Sequence, residues 1–260
     1  MSTGRTPRPL RGVKPIREKA YVLIQQKIAR GELPPGSAVS EVSLAQQLGS
    51  SRTPIREALG QLVAEGLLEQ TPNRGAVVVQ LKRQDIIDLY ELREALEVYA
   101  VGKVARRTNS QNELERLRGF ADQILAMKCE LEQSGKPELN EKQMQRFVAC
   151  DLGFHALLVR MAANARILKL VNETRLLIRI FAIHRRGHDV PALAHIHKEH
   201  KEMLQAIADQ DAERAMHQLS THIRKSLEER LEDFDRWEHE AAMREALPVF
   251  FDVHSAGDVL

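Results

Sequence analysis

LPPGSAVSEVSLAQQLGSSRTPIREALGQLVAEGLLEQTPNRGAVVV, residues 33–79, decides the fold of the N-terminal third. Its apolar spacing predicts a short helix from Glu41 to Leu48, with Ser40 as N-cap and Val42, Leu44, Ala45 and Leu48 inside. Gly49-Ser50-Ser51 then makes a tight turn. A further helix opens on Arg52-Thr53-Pro54-Ile55-Arg56, capped by Ser51. Pro54 is tolerated there because the first helical turn needs no backbone donor. Ile55, Ala58, Leu59, Leu62 and Val63 fall on its core side, and Gly66 stops it. Leu67 to Gln70 and Ala76 to Gln80 are expected to pair as a hairpin with Asn73-Arg74-Gly75 at its tip. Two helices joined at a glycine turn, the second led by basic and hydroxyl residues, followed by a small hairpin, make a winged helix-turn-helix, a reader of the DNA major groove.

The chemistry of the second helix fits that placement. Helix N-termini attract anions through unpaired amides and the helix dipole. Ser51 and Thr53 suit phosphates, and Arg52 or Arg56 can present two donors to guanine O6 and N7. Arg74 and Gly75 at the wing tip suit a phosphate or the minor groove. Singly, each arginine is an ordinary solvated charge; together on this scaffold they are a DNA surface.

Upstream, Ile16, Ala20, Leu23, Ile24 and Ile28 predict a helix over 15–30, ended by Gly31 and Pro34-Pro35-Gly36. Residues 1–14 are basic and poor in apolar side chains, and are expected to be a disordered tail. Charge is divided along the chain. The overall formal charge is only +2, yet residues 1–83 hold 13 Lys and Arg against 6 Asp and Glu, while residues 84–260 hold 25 against 30. A basic head on an acidic body fits a nucleic-acid module joined to one that does not bind nucleic acid.

The string L-P-P-G-S-x-x-S-E-x-x-L-A-x-x-L-G-x-S-R-T-P-x-R-E-A-L-x-x-L-x-x-E-G-L, with N-R-G-x-x-V after it, resembles the DNA-binding domain of GntR-type bacterial transcription regulators. Many members carry an arginine early in the short helix that touches DNA. Val42 stands in that place here, so that contact does not carry over.

From Leu81 on, the pattern is helical. Helices are expected near 83–107, 110–134, 138–162, 165–186, 192–209 and 211–245, broken at Gly135-Lys136-Pro137 and Gly187 to Pro191, with Asn164 and Asp211 as caps. Six helices with short connections predict an all-α antiparallel bundle over 82–245. The last residues, 246–260, are apolar and irregular. No run of 18 apolar residues suggests a membrane span, and the N-terminus lacks a secretory h-region. Cys129 and Cys150 fit no metal or disulfide spacing and read as free thiols of a cytoplasmic protein.

Within the bundle, Phe147, Val148, Asp151, Phe154, His155 and Leu158 share one helical side, so Asp151 and His155 stand one turn apart on an apolar face. Ile196, His200, Met203, Leu204 and Ile207 form another inner stripe, and Ala215, Leu219, His222 and Ser226 a third. A carboxylate among apolar residues is costly unless paired or metal-bound. Three imidazoles and one carboxylate aimed inward suit a divalent transition metal, zinc first, with nickel or manganese as alternatives. The plainer possibility is an Asp–His core hydrogen bond beside two satisfied core histidines. D-x-x-x-H, then E-H-x-x-x-L-x-A-I-x-x-x-D-x-x-x-A, then H, resembles the metal-binding version of the FCD domain, the effector module of one large GntR subgroup. That resemblance implies Asp151, His155, His200 and His222 as the metal ligands. His184, His188, His195 and His197 read as surface or rim residues, His197 being the exception to watch.

Arg93 lies on the inner Leu89–Arg93–Leu96–Ala100 stripe and needs an anion. Glu97 can pair with it one turn on; alternatively Arg93 clamps the carboxylate of an effector. The resemblance implies small organic acids as effectors that complete the metal's coordination. The whole reads as a ligand-responsive regulator, expected to repress, that binds operator DNA as a homodimer and is not an enzyme. Two variants stay open: a metal-free bundle holding an apolar or acyl ligand, and a metal-dependent enzyme fused to the head, for which no general base or nucleophile motif is evident.

Overall fold

The computed structural model describes residues 15–180 and 187–246, and they fall into two compact units that divide after Gln80. The basic tail, His184 and the apolar C-terminal stretch therefore lie outside the described residues.

The first unit is α1 (Ile16–Ala29), α2 (Glu41–Gln47), α3 (Arg52–Ala64), β1 (Leu68–Thr71) and β2 (Gly75–Val78). Ala20, Ile24 and Ile28 of α1 pack with Ile55, Ala58, Leu59 and Leu62 of α3, all with almost no exposed surface. Ser40 caps α2 by accepting from the Ser43 amide at 3.2 Å. Ser51 occupies the N-cap position of α3 but makes no side-chain cap bond; the hydroxyl engaged there is that of Ser50, donating to the Ser51 carbonyl. Gly49 takes φ +58 between α2 and α3, a left-handed turn that favours glycine. Val42 is exposed, contrary to its expected inner position: α2 has two turns, and Leu44 and Ala45 alone face the core fully.

The hairpin pairs Leu68 with Val78 and Thr71 with Gly75, so the strands sit within two residues of the expected places. Asn73 (φ +65) and Gly75 (φ +73) supply the left-handed geometry of its tip. The stretch before α2 adds a bridge that was not foreseen. Ala38 pairs with Val77, and the Val39 amide donates to Ala76 at 2.8 Å, so the approach to α2 runs along β2.

The second unit is six helices: α4 (Arg83–Ala105), α5 (Gln111–Ser134), α6 (Glu141–Met161), α7 (Ala165–Ile180), α8 (Val190–Ala208) and α9 (Ala212–Ala246). Helix ends follow side-chain caps. Ser110 and Glu113 form a reciprocal box at α5, and Asn140 and Gln143 one at α6, which moves that start from 138 to 141. Asn164 and Asp211 accept from amides of α7 and α9 as expected. α8 starts two residues earlier than expected: Asp189 caps it, and Pro191 lies in its first turn. α4 packs on α9, α7 and α6, and α5 packs on α6 and α8. Two apolar clusters result. One holds Tyr90, Val101, Phe154, Leu158, Val171, Met203 and Leu219; the other holds Ile124, Met127, Leu131, Phe147, Leu193 and Ile196. On α6, Asp151 and His155 fall at the seam between Phe147 of one cluster and Phe154 of the other.

Candidate functional site

Three helices bring four side chains to that seam. Asp151 and His155 come from α6, His200 from α8 and His222 from α9, and one donor atom from each lies within 4.8 Å of all the others. His155 and His200 are fully buried and His222 nearly so, while Asp151 keeps a partial opening. Nε2 of His155 lies 3.2 Å from Nε2 of His222 and 3.7 Å from Oδ1 of Asp151. Nε2 of His200 is 3.5 Å from the same oxygen.

The outer ring nitrogens explain why the inner ones converge. Nδ1 of His155 donates to Glu97 at 3.0 Å, and Nδ1 of His222 donates to Glu199 at 2.7 Å. A carboxylate accepts only, so each Nδ1 carries the proton and each Nε2 presents a lone pair. Two lone pairs 3.2 Å apart in a dry interior repel unless a cation lies between them. Two nitrogens each about 2.0–2.1 Å from one tetrahedral ion stand roughly 3.3–3.4 Å apart. His200 adds a second sign: both its ring nitrogens are buried without a hydrogen-bond partner, and the ring stacks on Phe154 at 4.0 Å. Burial, with His222 next in effect, pushes the His200 imidazole well below its ordinary range, which keeps it neutral and able to donate a lone pair. Burial alone would raise Asp151; the neighbouring imidazoles, His155 foremost, outweigh it and hold that carboxyl well below the ordinary range. Three imidazole nitrogens with one carboxylate fit a borderline divalent transition metal.

Arg93 sits beside this cluster, and the pairing with Glu97 that the sequence offered it is present. Its Nε donates to Glu97 at 3.1 Å, and its Nη2 lies 3.4 Å from Nε2 of His155. Arg175 of α7 grips the same Glu97 with two bonds, 2.6 and 2.7 Å, and gives a third to the Leu152 carbonyl. Burial opposes ionisation of Glu97, yet Arg175 and Arg93 together hold its carboxyl far below the ordinary 4.5. Arg175 and Glu199 were missed in the sequence. Arg175 follows Val171 by one turn on a buried stripe, so the argument applied to Arg93 finds it too. Glu199 carried no such signal, because a carboxylate at the end of an inner stripe looks like a solvated one.

Among the other histidines, His195 is a rim residue paired with Glu199 at 2.7 Å, and His197 is half-buried. His188 corrects the sequence expectation: it is buried, edge-on to Phe147 at 4.5 Å, because the segment before α8 folds back over Leu139. A cavity of about 30 Å³ between α6, α8 and α9 reaches Asp151 and His222 past Glu199, Ser226 and Lys225.

In the first unit, Ser51, Arg52, Thr53, Arg56, Arg74 and Gly75 are all exposed. Arg56 is tied to Glu41 of α2 at 2.8 Å, whereas Arg52 has no ion pair among the described residues.

Comparison with known proteins agrees with both units. Residues 16–78 match the bacterial regulatory proteins of the gntR family, and residues 88–225 match the FCD domain. The chain is 35% identical over 201 residues to the "Probable D-xylose utilization operon transcriptional repressor" of Paenarthrobacter nicotinovorans, covering 77% of this chain and 82% of that one. It is 35% identical over 198 residues to the Nta operon transcriptional regulator of Aminobacter aminovorans, covering 76% and 86%. Among solved structures, the E. coli protein McbR/YncC shares the fold with TM-score 0.66 at 18% identity, over 85% of this chain and all of that one. A GntR-type structure from Rhodococcus sp. RHA1 does so with TM-score 0.65 at 22% identity, over 83% and 97%. Both family matches are to regulators rather than enzymes, and together they span the two units: the chain belongs to the gntR family of bacterial transcriptional regulators, in the group whose second domain is an FCD domain.

Proposed function

We propose that this regulator binds a divalent transition metal, zinc first, through Asp151, His155, His200 and His222, and that a small organic acid joined to that centre alters operator binding by a homodimer. The observation that carries it is the convergence within 4.8 Å of four donor atoms, three of them on buried imidazoles and two of those fixed in tautomer by carboxylates behind them. A bound metal of this kind supplies positive charge and a coordination position open to a carboxylate.

Charge argues for an anionic effector. Arg93 and Arg175 balance Glu97 and Asp151, so a divalent ion leaves the buried set with surplus positive charge, even with Glu199 counted. Arg93 is the residue placed to use that surplus. It gives Glu97 one bond where Arg175 gives two, and its Nη2 points at the ring nitrogen on the metal side of His155. An acid with one end at the metal and one oxygen on Arg93 satisfies both. The cavity is small, so the acid is a short one and its entry past Glu199 and Ser226 requires those side chains to move.

On DNA, Arg52 is assigned to a guanine edge, Ser51 and Thr53 to phosphates, Arg56 to a contact that releases it from Glu41, and Arg74 with Gly75 to the wing's groove contact. The test is a thermal-shift screen of short organic acids on metal-loaded protein, followed by operator binding with each hit. A specific acid raises the melting temperature and changes operator affinity. Purified protein without bound metal, or metal content unchanged by His200→Ala in a folded variant, rejects the metal centre. Metal without any acid response rejects the effector alone.

A further inference from the structure

A second cavity, of about 370 Å³, lies between α5 and α8, and every residue lining it comes from those two helices. The cavity at the metal centre is bounded by α6, α8 and α9 instead, and the two have no lining residue in common. Small-molecule sites run from roughly 300 to 1,000 Å³, so this volume suits a compact ligand. Ala121 and Ala208 leave the space, and Leu114, Leu125 and Leu204 give it an apolar wall. Leu125 is 38% exposed, so part of that wall is open to solvent and to a ligand arriving from it.

The charges along the groove follow from how its two helices run. The second half of α5 and the first half of α8 share one apolar cluster, through Met127, Leu131 and Leu193. The cavity takes Leu114 to Leu125 from α5 and His197 to Ala208 from α8, so the helices are antiparallel. Asp122 acts electrostatically on His197, which fixes their register at one point. One turn on along α8 is Lys201, and one turn back along α5 is Arg118, so the two cations stand opposite each other across the groove. Neither makes a hydrogen bond or ion pair among the described residues. Like charges facing over an apolar wall repel, and one carboxylate between them removes the repulsion. Its two oxygens match a guanidinium edge on one side and an ammonium on the other. Asp122 sets the limit on charge, because a second carboxylate on the ligand would lie against it.

We propose that this groove binds a monocarboxylate with a compact apolar body, its carboxylate held between Arg118 and Lys201 and its body on Leu114, Ala121, Leu125 and Leu204. It is a second ligand site, separate from the metal centre and different in chemistry. The acid at the centre is short and held through a metal; the acid in the groove is held by two cations and an apolar wall.

The test is equilibrium dialysis of radiolabelled phenylacetate and cyclohexylacetate against the chelator-treated full chain, with far-UV circular dichroism to verify the folding of each variant. The expected result is saturable binding of at least one of the two acids, one molecule per chain. Acetate, which has the charge alone, and 2-phenylethanol, which has the ring alone, each compete at least about tenfold more weakly. Arg118→Gln and Lys201→Gln each weaken binding at least about fivefold, and Leu125→Glu does so by bringing a like charge to the wall. His200→Ala leaves the affinity unchanged. Absence of saturable binding by both acids, equal competition by 2-phenylethanol, or indifference to Arg118→Gln and Lys201→Gln overturns the proposal. Loss of binding in folded His200→Ala also overturns it, since the acid then occupies the metal centre. Metal is stripped throughout, so a failure of the groove leaves the reading of the metal centre untouched.

Discussion

Glu97 anchors the interior of the bundle, and its removal is the sharpest test of how that interior is held. One buried carboxylate accepts from Arg93, from Arg175 twice and from Nδ1 of His155. Glu97→Ala strands two guanidiniums, each about 5% exposed, in the bundle interior. Breaking a buried ion pair from one side costs about 3–5 kcal/mol, and here both cations lose their counter-charge, so the upper half of that range is predicted. Glu97→Gln keeps an acceptor and loses the charge, for a predicted cost of about 2–3 kcal/mol. Against a total stability of roughly 5–15 kcal/mol, the alanine variant sits near the edge of folding. Urea unfolding followed by far-UV circular dichroism measures both, with chelator present throughout so that metal affinity does not enter.

The pH dependence has a defined sign. The folded Glu97 carboxyl is far below its ordinary 4.5, so the unfolded chain takes up the proton first. The contribution is fully present above the ordinary value and drains away as pH falls below it. The gap between wild type and Glu97→Gln is therefore predicted to be constant near neutrality and to narrow below about pH 4.5. A loss under about 1 kcal/mol in Glu97→Ala, or a gap that widens in acid, would refute the idea that Glu97 is the counter-charge of two dry arginines.

Four further outcomes follow. With chelator, His200→Leu is predicted to melt above wild type, because it removes two buried nitrogens without partners; with zinc the order reverses, and paired melting curves check both. Gly153→Ala is predicted to cost about 1–3 kcal/mol in urea unfolding, since its new Cβ would lie 2.4 Å from the Phe120 ring on α5. Gly49→Ala is predicted to lose about 1–2 kcal/mol through its φ of +58 alone, with open space around it, and Gly49→Asn less, measured by the melting temperature of the first unit. In operator titrations, Arg52→Ala is predicted to lose about 1–3 kcal/mol and relax preference at one base pair, whereas Arg74→Ala lowers affinity for all sequences and reduces the salt slope by about 1.

What was legible in the sequence had a local cause. The helix-turn-helix declares itself through Gly49, Pro54 and an apolar spacing, and all but Val42 of that spacing land in their expected places. The four inward donors were legible because a charged or polar residue on an apolar stripe is conspicuous. The places that were not legible depend on contacts remote in sequence. Ser51 takes the N-cap position without supplying the cap bond. Val42 is apolar yet exposed, since a two-turn helix has room for only Leu44 and Ala45 against the core. His188 is buried because its backbone carbonyl accepts from Leu139, 49 positions earlier. Glu199 gains its role only when α9 sets His222 2.7 Å away.

In the proposed reading, α4 links the buried ion pairs to the effector response. This 23-residue helix has Arg93 and Glu97 buried on its inner side, with Leu92 and Tyr99 exposed. An acid, on this proposal, draws Arg93 from Glu97 toward Nε2 of His155, and Glu97 remains with Arg175 on α7, because that pairing has two short bonds. Arg93 and Glu97 both lie on α4, so the exchange breaks a bond within that helix, and the ties of Glu97 to α6 through His155 and to α7 through Arg175 stay in place. What changes is the contact of Arg93 with α6, and packed interiors repack between discrete arrangements rather than deform continuously. On that reading an effector needs to favour one such arrangement by only about 1–3 kcal/mol, typical of allosteric coupling, to shift operator affinity about 5- to 150-fold. Arg93→Lys separates this from simple charge attraction: it keeps the cation but cannot hold Glu97 and an acid oxygen in turn with a planar fork. It is predicted to retain much of the acid affinity and to lose the operator response, measured by calorimetry and by anisotropy; loss of both together, or of neither, rejects the exchange.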